Sequence, residues 1–138
     1  MGAWSHGSFD NDDALDWVGE LQDADGIEPI SDAFEAVLSA EDYLEAPEAS
    51  MGLAAAEVVA ALLGKPAAQL PDEVVAWVAG KKPPKPTLVK KAHAVVKRIL
   101  KDSELKELWA ESEDSDKWQQ EGESLLRRLE DNSDRGAS

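Results

Sequence analysis

An all-α fold, a compact single domain of six to seven helices, is what this sequence predicts, and three observations predict it. Apolar residues recur three and four positions apart along most of the chain, the period of one helix face. No stretch shows the strict apolar–polar alternation of a half-buried strand. Pro and Gly fall between the periodic stretches, Pro near the starts and Gly just past the ends, which is the order helices use. The domain is expected over residues 1–130, with a frayed tail over 131–138.

The first nine residues lack helical period and hold Gly2 and Gly7, so they read as an ordered arm anchored by Trp4 and Phe9. Asn11 is a helix N-cap, and Asp12 and Asp13 complement the dipole in the first turn. Ala14, Trp17, Val18 and Leu21 then share a face, and the helix should stop near Asp25-Gly26. Pro29 opens a second helix with Ile30, Phe34, Val37 and Leu38 inward, expected to reach about Leu44 unless Ser39-Ala40-Glu41 breaks it.

A third helix restarts at Pro47. From Ala49 to Leu63 its only charge is Glu57, and apolar residues point in every direction. Such a helix is buried on most sides, so residues 53–63 are the expected centre of the core. Gly64-Lys65-Pro66 stops it. Pro71-Asp72-Glu73 starts a short helix that Gly80 ends. The run Lys81 to Pro86 is a stiff extended linker.

The helix after it is the most amphipathic in the chain. Leu88, Val89, Ala92, Val95, Val96, Ile99 and Leu100 make one face; Lys90, Lys91, Lys97, Arg98 and Lys101 make the other. Ser103 caps a helix with Leu105, Leu108 and Trp109, and a polar break at 112–115 leads to a last helix with Trp118, Leu125, Leu126 and Leu129. Five Trp spread this widely are expected as wedges between helices, with Trp109 and Trp118 partly exposed and the weak candidates for a partner surface.

A length of 138 residues suits one domain with a core of its own. The chain has no Cys, which excludes disulfides, thiolate metal sites and a cysteine nucleophile. No apolar run approaches the ~20 residues of a membrane span, and no secretory leader is visible, so a soluble cytoplasmic protein is expected. The net charge of −15 is uneven. Residues 1–80 carry 17 acids and only Lys65 as a base; residues 81–101 carry eight bases and no acid. Such a chain repels nucleic acid and anionic lipid as a whole, so neither is expected as a partner. The basic helix 87–101 is expected to turn its charges to water or to the acidic remainder of the molecule.

Asp10, Asp12, Asp13 and Asp16 are the weak candidates for a metal site, because hard cations take several carboxylate oxygens. An EF-hand loop beginning at Asp10 fails: its fifth, sixth and twelfth positions would be Ala14, Leu15 and Leu21. Capping and dipole matching account for the same residues more simply. His6 and His93 are too few for an imidazole-rich centre, and Ser5 beside His6 cannot readily form a nucleophile–base bond. No catalytic residue and no cofactor is assigned.

The segment Gly2-Ala3-Trp4, then Gly7, then Phe9-Asp10-Asn11-Asp12-Asp13-Ala14-Leu15-Asp16-Trp17 resembles the opening of a bacterial family, domain of unknown function 4259. Members typically begin Met-Gly-Ala-Trp-Gly and continue to Phe-x-Asn-Asp-x-Ala-x-Asp-Trp. Tyr43-Leu44-Glu45-Ala46 and the Ala-rich helix to Gly64 are similar as well, and the resemblance extends to about residue 130. Ser5 stands where the family usually has Gly, which puts in doubt a role needing an unhindered backbone there. The resemblance implies a small bacterial protein and supplies no catalytic residues. Trp4, Phe9, Asn11, Asp12, Asp13 and Trp17 are expected to be its folding signature.

The leading functional expectation is a non-enzymatic binding protein, immunity- or inhibitor-like toward a basic protein partner. The alternatives are a metal-dependent hydrolase built on the N-terminal carboxylates and a helical protein that associates with itself.

Overall fold

The computed structural model describes residues 12–24, 26–40, 43–64, 72–82, 84–101, 103–111 and 115–137, and within these the side chains of all but 12, 13, 115 and 130–137. Among the described residues there are seven helices and no strand. They are α1 (Asp12–Asp23), α2 (Glu28–Leu38), α3 (Ala46–Leu62), α4 (Asp72–Ala79), α5 (Pro86–Lys101), α6 (Glu104–Ala110) and α7 (Ser115–Ala137).

The core is built around α3, which touches every other helix. Its buried residues run without a gap from Leu53 to Ala61, so no face of this stretch is given to solvent. Small side chains make that possible. Ala54, Ala55, Ala56 and Ala60 let neighbouring helices approach closely on all sides, while Val58 and Val59 fill the space between them. The α2 residues Ile30, Phe34 and Val37 pack on one side and the α5 stripe on another. All seven apolar residues expected inward on α5 are buried, and Lys90, Lys91, Lys97 and Lys101 are exposed. α7 also packs along α5, with Gly122 against Leu100, and its Leu125 and Leu129 are fully buried.

Gly52 marks the crossing of α2, α3 and α5. A Cβ placed there would lie 2.7 Å from Val37 Cγ2, 3.1 Å from Val95 Cγ1 and 3.2 Å from Ile99 Cδ1. All three neighbours are β-branched and held at χ1, so the two valine methyls cannot swing aside. Two effects oppose each other in Gly52→Ala. Helix propensity favours Ala by about 1 kcal/mol, while overpacking costs about 1–3 kcal/mol. With three helices converging, the overpacking should win. We expect a net loss of about 1 kcal/mol in urea unfolding, whereas a stabilised variant would show the crossing to be loose.

Several ends follow local chemistry. Pro29 and Pro47 occupy the first turns of α2 and α3, and Pro86 opens α5, one residue earlier than its apolar stripe suggests. Gly64 ends α3 with φ +84, and its N–H bonds back to the Ala61 carbonyl. Ser103 caps α6: its Oγ accepts from the Lys106 N–H at 3.0 Å and donates to the Ile99 carbonyl at 2.8 Å. One hydroxyl thus joins the end of α5 to the start of α6.

The end of α2 is decided elsewhere. The helix stops at Leu38, at the Ser39-Ala40 break, and does not continue to Leu44. Leu44 is instead only 1% exposed, inside the core, and its carbonyl accepts from Glu104 N–H at 2.8 Å. Burying that side chain turns the backbone away from the helix axis. Arg98 of α5 holds the break by donating to the Ala40 carbonyl at 3.1 Å. A guanidinium at a helix C-terminus also suits the dipole there.

Candidate functional site

The N-terminal signature enters the described residues at α1. Trp17 is buried, and its indole N–H donates to the Pro29 carbonyl at 3.1 Å. This ties α1 to the first turn of α2. Trp4, Phe9, Asp10 and Asn11 lie outside the described residues; Asp12 and Asp13 occupy the first turn of α1 by their backbone, and their side chains lie outside. Asp16 is exposed. Among the described residues no group of three or more acids or histidines is placed to hold a metal ion. His93 is half-buried on α5, and His6 lies outside the described residues.

Trp109 and Trp118 meet. Their rings stack with centroids 6.3 Å apart and planes 8° from parallel. Trp109 is half-buried, as expected, but Trp118 is only 5% exposed. The reason is tertiary: α6 packs on α7 and lays the Trp109 ring against that of Trp118. The polar composition around Trp118 gives no sign of this cover.

The basic face of α5 finds acidic and carbonyl groups on its own molecule. Lys91 Nζ lies 3.3 Å from Glu35 Oε2 of α2, an exposed pair worth little, and Arg98 caps α2 as described. Glu57 and Arg128 are the constellation that sequence reasoning missed. Glu57 is 2% exposed, and both its oxygens accept from the Arg128 guanidinium of α7, at 3.0 and 3.3 Å. This is a two-pronged pair in a largely dry setting. Its signal was present as the single charge in an otherwise apolar helix, which demands a partner. Held this way, the carboxylate serves the fold and is poorly placed to act as a base.

The feature with the geometry of a site lies where α2 ends and α3 begins. Ala36, Ala40, Tyr43, Leu44, Glu45 and Glu48 line a pocket of about 280 Å³. Its walls are set by α6 as well. The Tyr43 hydroxyl donates to Glu107 Oε1 at 3.1 Å, and the Ala46 N–H, first in α3, donates to Glu104 Oε1 at 2.8 Å. Glu45 is the N-cap residue of α3, yet its side chain makes no cap hydrogen bond. Glu48 falls three positions on, where a carboxylate often reaches back to the cap. Here Glu48 Oε1 is buried and accepts no hydrogen bond. The pocket therefore joins an apolar sleeve, an aromatic ring tethered at its hydroxyl, and two carboxylates not used by the cap.

Among the described residues no helix is long and apolar enough to cross a membrane. Neither a curated protein nor a solved structure matches the chain. A family model does match it, over residues 2–121, which reaches into the first turns of α7. The chain therefore belongs to the family described as Domain of unknown function (DUF4259).

Proposed function

We propose that the chain is a non-enzymatic binding domain whose partner is a basic protein, which it neutralises in the manner of an immunity protein or an inhibitor. The observation that carries this reading is the net charge of −15, many of whose acids are exposed among the described residues. Asp16, Glu20, Asp23, Asp32, Glu45, Asp72, Glu73, Glu107 and Glu111 are all exposed. Acids on this scale exceed what solubility asks of a small domain, for which a net charge of about 2–8 in magnitude suffices. A surface potential of one sign steers an oppositely charged partner and accelerates encounter.

Affinity capture with the full chain from its native host tests the reading. The expected result is a basic protein retained in stoichiometric amount. Its association rate should fall by more than tenfold between about 50 and 500 mM salt as screening shortens. Recovery of chaperones alone, or of a partner whose binding ignores salt, would overturn it.

A further inference from the structure

We propose that the Tyr43–Glu48 pocket accepts the cationic side chain of a lysine or arginine presented by the partner protein. This rests on the function proposed above and names the site and the chemistry it would use. Size comes first. At about 280 Å³ the pocket falls just below the ~300–1,000 Å³ of sites that enclose a whole small molecule. A single extended side chain suits it better.

The lining matches such a side chain from stem to head. Ala36, Ala40 and Leu44 offer apolar surface for a methylene stem, which Lys and Arg bury readily. Glu48 Oε1 is buried without a donor. Leaving a buried acceptor in that condition is costly, and more so for a charged one. A cation seated in the pocket would lie beside that carboxylate and offset its charge. Glu45 supplies a second carboxylate, and the Tyr43 ring is restrained by its bond to Glu107. A tyrosine ring also attracts a cation over its face.

Other ligand classes fit less well. The N-terminus of α3 would ordinarily attract an anion, but Glu104 already occupies its first N–H, and Glu45, Glu48 and Glu107 surround the opening with negative charge. The other helix end at the pocket, the C-terminus of α2, already has Arg98 on the Ala40 carbonyl, so a cationic head is drawn to the Glu45 and Glu48 side. A hard divalent cation wants six or more oxygen ligands, and no metal-sized group of three acids or histidines occurs among the described residues.

The test is an NMR titration of the full ¹⁵N-labelled chain with Nα-acetyl-lysine N-methylamide, its arginine counterpart, and the uncharged norleucine counterpart. Saturable shifts should appear at Ala36, Ala40 and Tyr43–Glu48 with one or both cationic probes and not with norleucine. Glu48→Gln should weaken the probe roughly tenfold, the scale of a lost charge-assisted bond. Ala36→Leu, which fills the pocket without touching charge, should abolish the response while the chain still melts cooperatively. Glu73→Gln, on α4, should change nothing. Shifts spread over all exposed carboxylates, absence of saturation, or an unchanged response in Glu48→Gln would each overturn the pocket. A captured basic protein that binds Glu48→Gln as tightly as the parent would overturn the pocket and leave the broader function standing. Probe binding with no basic protein captured would overturn the protein origin of the side chain.

Discussion

A chain ending at Glu121 is expected to lose its cooperative unfolding transition. The family match stops there, but α7 continues to Ala137 and completes the core. Leu125 and Leu129, both fully buried, would be removed, and so would Arg128. Truncating a buried Leu to Ala costs about 2–5 kcal/mol, and stripping a buried carboxylate of its cation costs about 3–5 kcal/mol more. Together these rival the whole stability of an ordinary domain, ~5–15 kcal/mol. The part of α5 that α7 covers would be uncovered as well, with Leu100, which packs on Gly122, meeting water. Thermal and urea melts followed by far-ultraviolet circular dichroism decide the matter. A chain ending at Glu130 keeps every described buried side chain and should melt as the parent does. A sigmoidal, native-like melt for the chain ending at Glu121 would show that 2–121 is a folding unit and not just the reach of a similarity.

Arg128→Met should destabilise the domain by about 3–5 kcal/mol, far beyond the ±0.5 kcal/mol of an ordinary surface change. The Glu57 carboxylate would stay in the core without the guanidinium that takes both its oxygens. Arg128→Lys should fall between, since an ammonium offers a point charge where a planar fork is used. The double change Glu57→Leu with Arg128→Met separates attraction from desolvation. It removes both buried charges, so much of the lost stability should return, and a result near the parent or above it agrees with how buried pairs behave. Urea midpoints for the four members of the cycle give the coupling directly. If Arg128→Met proves as stable as the parent, the pair contributes nothing and Glu57 is satisfied by other means.

These two expectations concern the scaffold, and the scaffold is what holds the proposed pocket. Its walls come from α2, the 43–45 segment and the start of α3, and two of its tethers come from α6. Ser103 fixes α6 to the end of α5, and Arg98 of α5 fixes the end of α2. Four helices thus restrain one small concavity. Few degrees of freedom remain to be lost when a side chain enters it, which is the general advantage of preorganisation.

How legible was this in the sequence? The helical class, the seven-residue apolar stripe of α5, the buried character of α3, the Gly64 stop and the Ser103 cap could all be read directly. Each is a local matter: a period, a missing Cβ or a hydroxyl three residues from an N–H fixes it without knowledge of the rest of the chain. Three features could not be read, and a fourth, the α2 break that Ser39-Ala40-Glu41 offered as one outcome, could not be decided locally. The break after Leu38 depends on Leu44 turning into the core and on Arg98, 58 residues beyond the carbonyl it binds. Glu57 finds its cation 71 residues away. Trp118 is buried because the Trp109 ring lies against it. The pocket exists because α6 returns to the corner between α2 and α3 and draws Tyr43 and Ala46 to two of its carboxylates. Periodicity states which face of a helix is apolar, not which other helix will cover it. That choice is made by packing among faces distant in sequence, so the tertiary structure alone determined which charges of this acidic chain are paired within the fold and which stay exposed.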